Sequence, residues 1–214
     1  MSADNTQGVI VRNIVPGDIS GIMQLQKESF PHMAKNGMVW KEHHLKSHID
    51  IFPEGQFCAE LDGKIVGSAS SLIVKLEPEY GEHTYNQVTA QGMFTTHDPK
   101  GDSLYGADVS THPDIRRLGV ATMLYDARKQ LVVKLNLRRI IAGGRLFNYC
   151  EHASAMSAQE YARKVVDGEL EDPVLSFQLK NGFRFIGILQ DYLRDSRSLN
   201  YATFIEWLNP EHRK

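Results

Sequence analysis

The chain has 214 residues, of which 42% are hydrophobic and 23% charged, a composition typical of one soluble domain. A formal net charge of −2 argues against broad nucleic-acid binding, and two cysteines are too few for a disulfide framework or a structural zinc site. The first residues lack a signal-peptide pattern, and no apolar run approaches the ~20 residues that span a bilayer, so we expect a cytoplasmic protein. We also expect a single domain over residues 1–214, including a polar leader at 1–8.

The first half of the chain predicts a strand, two helices and a hairpin. The run VIVRNI at residues 9–14 has strand character, and Asp18 then suits the N-cap of an amphipathic helix. A weaker helical pattern runs from Trp40 to His48. The runs QFCAEL and KIVGSASSLIV flank Asp62 and Gly63, a pair that favours the positive φ angles of a tight hairpin turn.

The middle of the chain predicts a long loop and then a strand–helix–strand unit. Residues 78–102 are polar and irregular, and a loop of this length is either disordered or functional. LYGADVST at 104–111 and RRIIAGGRL at 138–146 have strand character. Between them, apolar residues recur at helical spacing from Gly119, and the other faces of this helix carry Arg128, Lys129 and Lys134.

The last part of the chain predicts two helices and two closing strands. Ser157 and Glu160 form a capping box at the start of the first helix. Pro173 suits the start of the second helix, and Gly182 suits its end. The runs FRFIGIL and YATFIEWL follow as strands. The whole order predicts a mixed α/β domain built around one sheet.

The stretch RRLGVA, at residues 116–121, lies between a predicted strand and a predicted helix. The first turn of a helix has unpaired N–H groups and the positive end of the helix dipole, and both attract an anion. Gly119 and Ala121 leave room for a ligand, while Arg116, Arg117 and Thr122 can donate to phosphate oxygens. A solvated basic loop before a helix explains so short a pattern equally well. The stretch has neither a Walker A nor a GxGxxG motif.

The wider pattern V-x-T-x-P-x-x-R-R-L-G-V-A-T closely resembles motif A of the GNAT superfamily of N-acetyltransferases. The elements on both sides also follow that family's order, ending with FQLKNGFRFIG. The long loop and the helix SAQEYARKVV look like a subgroup that is sometimes fused to nitrilase-like carbon–nitrogen hydrolases. The resemblance implies the GNAT fold, an α/β architecture with a mixed, mostly antiparallel sheet of about six or seven strands, flanked by helices and splayed between the fourth and fifth strands.

The same resemblance implies that acetyl-CoA is the cofactor. Backbone N–H groups at the start of the motif helix would hold its pyrophosphate, and the preceding strand would pair with the pantetheine arm. One departure is Arg117, because many members have glycine there. The implied cofactor-binding residues are Val109, Ser110, Thr111, Arg116, Arg117, Leu118, Gly119, Val120, Ala121, Thr122 and Asn148.

The family's reaction is direct attack of a primary amine on the thioester, so the resemblance implies an N-acetyltransferase. Asp108 is the only carboxylate within the motif strand, and it is the first candidate for the base, ahead of Tyr105 or a water molecule. Strand alternation points Asp108 away from the pantetheine face unless a β-bulge intervenes. A purely structural role for Asp108, as a cap or a sheet-edge charge, stays equally open.

The general acid is less obvious. Many members have a tyrosine four residues before the glycine of the late GF pair, but this chain has Gln178 there. The nearest substitutes are Tyr149, which is the candidate acid, and Tyr161. The missing tyrosine also keeps open a non-catalytic acyl-CoA-binding or regulatory module, and Cys150 keeps open a thiol hydrolase.

The acceptor amine is not identified by the sequence. We expect a small molecule, because the loop at 78–102 suggests an enclosed site. Neither a nucleic acid nor a membrane is expected as a partner, and a homodimer stays open. His44 and His48 have a metal-ligand spacing, but they lack the glutamate of an H-E-x-x-H motif, so no metal site is expected.

Overall fold

The computed structural model describes residues 8–115 and 118–213. The strands of this part form one sheet, made of β1 (Ile10–Asn13), β2 (Gln56–Leu61), β3 (Lys64–Val74), β4 (Ser103–Thr111), β5 (Arg139–Arg145), β6 (Arg184–Leu189) and β7 (Ala202–Leu208). They lie in the order β1-β2-β3-β4-β5-β7-β6, and all neighbours are antiparallel except β4 and β5. The predicted mixed, mostly antiparallel sheet is confirmed.

Helices cover both faces of this sheet. They are α1 (Ile19–Ser29), α2 (Pro31–Lys35), α3 (Glu42–Ile51), α4 (Tyr85–Val88), α5 (Val120–Lys134), α6 (Ala158–Val166) and α7 (Leu175–Lys180). The core on one face contains Ile22 of α1, Leu45 of α3 and Val88 of α4. The core on the other face contains Leu124 of α5 and Tyr161 of α6. The sheet therefore separates two apolar layers.

Two local predictions are confirmed and one is wrong. Asp62 and Gly63 have φ angles of 50° and 76°, as the hairpin requires. The Ser157 hydroxyl accepts a hydrogen bond from the Glu160 N–H, which forms the capping box of α6. Asp18 does not cap α1, because its carboxylate accepts hydrogen bonds from Arg12 at 2.7 Å and from the Val15 N–H at 2.9 Å instead.

The two central strands separate along their length. β4 and β5 pair only from Ser103 opposite Arg139 to Tyr105 opposite Ile141. Beyond that point β5 continues to pair with β7 as far as Arg145. The remainder of β4 stays paired with β3 on its other side. A gap therefore opens between β4 and β5, as the GNAT resemblance implies.

A β-bulge lies on β4 where this gap begins. Gly106 is opposite Ser71 and Asp108 is opposite Ser70, so Ala107 is an extra residue without a partner on β3. An extra residue changes the direction of the side chains that follow it. The condition under which Asp108 could reach the gap is therefore met.

Candidate active site

A cavity of about 1820 Å³, here called the cleft, passes through the gap between β4 and β5. The gap itself carries little side-chain bulk, because Gly106 of β4 and Gly143 and Gly144 of β5 line it. On one face of the sheet the cleft is bordered by the first turn of α5 and by α7. On the other face it is bordered by α1, α2 and the segments 84–92 and 191–196.

The α5 end of the cleft has the backbone geometry that the sequence predicts for an anion site. Gly119, the N-cap of α5, has φ 79° and ψ 0°, a left-handed conformation that suits glycine. Val120, Ala121 and Thr122 form the first turn and line the cleft together with Gly119. Their N–H groups have no partner within a helix, by the geometry of any helix start. The structure therefore brings these four predicted residues to one wall.

Two of the other predicted cofactor residues also line the cleft, and others lie elsewhere. Val109 and Thr111 line the cleft, but the Ser110 side chain is buried and bonds to Gln26 of α1. Leu118 packs against the core beside α5. Arg116 and Arg117 lie outside the described residues.

Asn148 and Tyr149 are not among the residues that line the cleft. The Asn148 side-chain oxygen accepts a hydrogen bond from Arg197 at 2.9 Å. The Tyr149 hydroxyl donates to the Met156 carbonyl at 3.2 Å, and its ring packs against Tyr201. Burial raises the pKa of Tyr149. The position of Tyr149 gives no support to its role as general acid, because its hydroxyl donates its hydrogen bond to a carbonyl and does not line the cleft.

Asp108 lines the cleft on the α1 side. Its Oδ2 accepts hydrogen bonds from Gln26 Nε2 at 2.7 Å and from the Ser110 hydroxyl at 2.8 Å. Burial raises the pKa of Asp108, against the opposing effects of the Ser110 hydrogen bond and the positive charge of Arg128. Both hydrogen bonds fall on one oxygen. Within the described residues no hydrogen bond is made to Oδ1, so its lone pairs are available to a ligand. This is the arrangement of an oriented base.

Arg128 of α5 lies in the cleft, although the sequence pattern predicts it on an outer face of the helix. It is only 2% exposed and lines the cleft. Its Nε donates to the Ser71 hydroxyl at 2.9 Å, and its Nη2 donates to the carbonyls of Ser70, at 2.7 Å, and Asp108. The signal was its position four residues after Leu124, which is on the buried stripe of α5.

Gln178 occupies the place that a tyrosine holds in many GNAT members. It is buried and lines the cleft, and its Oε1 would lie 2.4 Å from a Cβ added to Gly144. That oxygen has no hydrogen-bond partner in the described part of the chain. The position therefore faces the gap, but an amide is too weak an acid to protonate a thiolate.

Three aromatic side chains connect the gap to the segment at 78–102. Burial lowers the pKa of His83, so the ring is neutral, and its Nδ1 donates to the Gly81 carbonyl at 3.0 Å. Its Nε2 must then accept from the Tyr105 hydroxyl at 2.9 Å, which in turn accepts from the Tyr192 hydroxyl at 2.8 Å. The Tyr192 ring covers Gly143, since a Cβ there would lie 2.2 Å from Tyr192 Cζ. Tyr105, the second candidate base, thus reaches the cleft only through Tyr192.

The segment at 78–102 is packed against α3 and contains α4. His48 Nε2 donates to the Gly92 carbonyl at 2.7 Å, and the His48 ring stacks on Phe94 with 3.6 Å between centroids. Burial lowers the pKa of His48 to about 4. His44 lines the cleft instead, so the two histidines have different surroundings. Across residues 8–115 and 118–213, no group of three or more potential metal ligands occurs.

Cys150, on which the thiol hydrolase alternative depends, lies away from the cleft. Cys150 is partly exposed and is not among the residues that line the cleft. The neighbouring His152 ring stacks on Tyr161 with 5.0 Å between centroids.

Among the described residues, no helix combines the length and the apolar character needed to cross a membrane.

Comparisons with known proteins agree with this geometry. Residues 19–149 match the Acetyltransferase (GNAT) family. The chain is 45% identical over 205 residues to the probable hydrolase YhcX of Bacillus subtilis, covering 95% of this chain but only 39% of that protein. It is 39% identical over 208 residues to the uncharacterized N-acetyltransferase YkwB of Bacillus subtilis, covering 97% of this chain and 92% of that protein.

Solved structures show the same fold. The loading GNATL domain of CurA from Lyngbya majuscula superposes with a TM-score of 0.82 at 21% identity, covering 96% of this chain and 99% of that domain. Other solved structures of similar fold include complexes with acetyl-CoA and with a bisubstrate analogue containing CoA. The fold, the open gap between β4 and β5, the glycine-led start of α5 and the family match together lead to one conclusion: the chain belongs to the Acetyltransferase (GNAT) family.

Proposed function

We propose that this protein transfers the acetyl group of acetyl-CoA to a primary amine of a small molecule. The observation that carries the proposal is the continuity of the cleft. It joins the first turn of α5 to the gap between β4 and β5, and it reaches Asp108 on the opposite face. A donor and an acceptor can therefore approach each other from the two faces of the sheet.

The donor half of the cleft fits CoA. The N–H groups of Val120, Ala121 and Thr122 would bind the pyrophosphate, with the helix dipole adding to the attraction. Val109 and Thr111 lie on the part of β4 that does not pair with β5, so backbone groups on that edge are available to the pantetheine amides.

The acceptor must lose a proton before it attacks. An amine with a pKa of ~10.4 is deprotonated about once in 2,500 molecules at pH 7, a cost of roughly 4.6 kcal/mol. Asp108 would take this proton on Oδ1 while Gln26 and Ser110 hold its other oxygen. The nitrogen lone pair then attacks the carbonyl carbon, the C–S bond breaks, and the extra proton on the new amide nitrogen passes to water. The thiolate, with a pKa near ~8.5, leaves without an acid, so Tyr149 is not needed.

The first experiment is a panel of primary amines incubated with acetyl-CoA, with release of free CoA as the readout. We expect release that depends on the amine, and we expect Asp108→Asn to lower the turnover number more than it weakens acetyl-CoA binding. Binding of acetyl-CoA with no turnover on any amine would support the acyl-CoA-binding module. Activity that is lost when Cys150 is alkylated would instead favour the thiol hydrolase.

A charge change tests the cofactor half separately. Thr122 is exposed in the first turn of α5, where a glutamate favours the helix by ~0.3–1 kcal/mol. Thr122→Glu should nevertheless weaken acetyl-CoA binding, because a like charge near the pyrophosphate costs roughly 1–4 kcal/mol, which is roughly 5-fold to 900-fold in Kd. Thr122→Gln, of the same size but neutral, is the matched control. Equal affinity of the two variants in calorimetry would count against the predicted pyrophosphate site.

A further inference from the structure

The side chain of Arg128 is a buried positive charge that makes no ion pair with a carboxylate among the described residues, although the charge of Asp108 acts on it from nearby. It is 2% exposed, and no carboxylate pairs with it within residues 8–115 and 118–213. Burying a charge without a counter-charge is costly. Three neutral oxygens, the Ser71 hydroxyl and the carbonyls of Ser70 and Asp108, hold the guanidinium in place. The charge is thus held in one orientation by neutral groups.

One nitrogen of this guanidinium stays available. Nε and Nη2 make the three hydrogen bonds, whereas Nη1 makes none to the described residues. A Cβ added to Gly106 would lie 3.1 Å from Nη1 and 3.6 Å from Ala142 Cβ. The missing side chain at Gly106 therefore leaves Nη1 open towards the gap between β4 and β5. Both residues line the cleft.

The β-bulge explains why an arginine can occupy this place. The two carbonyls that accept from Nη2 belong to Ser70 and Asp108, the pair at which the register of β3 and β4 shifts. An arginine has a planar set of donors that can bond several acceptors at once, which a lysine cannot do. The bulge thus anchors the guanidinium behind β4, where the gap begins.

We infer that Arg128 is a catalytic residue whose Nη1 stabilises the negative charge that acetyl transfer places on the thioester, first on the carbonyl oxygen and then on the sulfur. This inference rests on the proposed function. When the amine attacks, an electron pair of the C=O bond moves to oxygen. The negatively charged oxygen would then face the guanidinium. When the intermediate collapses, that pair re-forms C=O and the C–S pair leaves with sulfur. The arginine loses no proton in either step.

This role fits the amide at Gln178. Gln178 cannot protonate the leaving sulfur. A fixed positive charge therefore matters more, because it stabilises the thiolate as it departs. A preorganised donor acts strongly in a site shielded from water. Loss of one such donor typically lowers kcat by roughly 10²–10³-fold.

Two variants of different kind test the role. Arg128→Gln removes the charge and keeps one amide donor for the carbonyls. Gly106→Ala keeps the arginine and its three bonds but puts a methyl group between Nη1 and the gap, so it carries the test if the first variant does not fold. Lys129→Gln removes a positive charge from the next position of the same helix and is the matched control.

Three quantities are measured: kcat, the Kd of acetyl-CoA and the thiol pKa of bound CoA. The thiol pKa is obtained from the ultraviolet absorbance of the thiolate in a pH titration. We expect Arg128→Gln to lower kcat by roughly 10²–10³-fold with little change in Kd, and Gly106→Ala to lower kcat in the same direction. We expect the bound thiol pKa to lie below ~8.5 in the wild type and to rise in both variants. Lys129→Gln should behave as the wild type.

The inference is overturned if a folded Arg128→Gln or Gly106→Ala keeps the wild-type kcat and thiol pKa. It is also overturned if Lys129→Gln lowers kcat as much as they do, because the effect would then be one of net charge. Failure of the proposed function looks different: no amine is acetylated by the wild type, while the thiol titration of bound CoA still reports on Arg128.

Discussion

Asp108 and Arg128 place opposite charges on the two sides of one short stretch of β4. The carboxylate of Asp108 faces α1, and the guanidinium of Arg128 approaches from α5 and bonds to the backbone carbonyl of the same Asp108. The strand backbone therefore separates a base on the acceptor side from a cation on the donor side. In the proposed reaction, positive charge leaves the amine where the carboxylate is, and negative charge forms where the guanidinium is.

The raised pKa of Asp108 leads to a prediction about stability. Because burial makes the folded protein hold this proton more tightly than the unfolded chain does, the contribution of Asp108 to stability falls as pH rises above the ordinary value of 3.8. Asp108→Asn should therefore melt at a higher temperature than the wild type near neutral pH, and the difference should shrink on acidification. The same variant should lose turnover, since the ionised carboxylate is the base.

Thermal melts over a pH series check this prediction, with Asp126→Asn on the exposed side of α5 as the control. An Asp108→Asn variant that is less stable than the wild type at every pH would show that the carboxylate contributes to stability through its hydrogen bonds. In that case the structural role of Asp108, which the sequence left open, would be the correct one.

At the scale of elements, the contact between α3 and the segment at 78–102 builds one wall of the cleft. The contact depends on a neutral His48, whose Nε2 donates to the Gly92 carbonyl and whose ring stacks on Phe94. Gly92 and Tyr85 of this segment line the cleft. Loosening the contact should therefore disturb acceptor binding before it disturbs CoA binding, which involves the other face of the sheet.

The pKa of His48 predicts when this wall loosens. Burial lowers it from 6.5 to about 4, so the unfolded chain binds more protons than the folded protein within that window. Stability from this contact is thus complete above about pH 6.5 and is lost as pH falls towards 4. Hydrogen exchange at residues 85–94 should speed up on acidification. His48→Gln, which keeps a donor for Gly92, should remove that pH dependence; unchanged acid sensitivity in this variant would show that another group is responsible.

At the scale of the whole molecule, a buried ion pair joins β5, β6 and β7 to the start of the segment at 78–102. Glu206 is fully buried and accepts from Arg139 at 2.9 Å and from Arg184 Nε at 2.7 Å. Arg139 also pairs with Glu79 at 3.2 Å. Burial raises the pKa of Glu206, but the two arginines outweigh it and leave the pKa lowered. The carboxylate is therefore charged at neutral pH.

Removing the charge of Glu206 leaves Arg139 buried, with the half-exposed Glu79 as its charged partner. We expect Glu206→Gln to lower the free energy of unfolding by roughly 3–5 kcal/mol at neutral pH. Glu60→Gln is the control, because Glu60 pairs with Arg12 while both are about a third exposed, and such a pair contributes ~0–1 kcal/mol. Chemical denaturation at neutral pH compares the two. Losses of equal size would contradict the assignment of stability to the buried pair.

The features that could be predicted from the sequence are those set by residues a few positions apart. The Asp62-Gly63 hairpin, the Ser157–Glu160 capping box and the glycine-led start of α5 depend on local backbone geometry, so their patterns could be read directly. The order of elements and the resemblance around Gly119 then identified the family and the gap between β4 and β5.

The positions of the proposed site residues depend on the tertiary structure. Arg128 is buried because carbonyls on β3 and β4 accept its donors, and Asp108 reaches the cleft because the pairing of those strands contains an extra residue. Tyr149 lies outside the cleft, and its hydroxyl donates a hydrogen bond to a carbonyl seven residues away. The physical reason is the same in each case: where a polar side chain lies depends on partners brought close by folding, and no local pattern in the sequence specifies them.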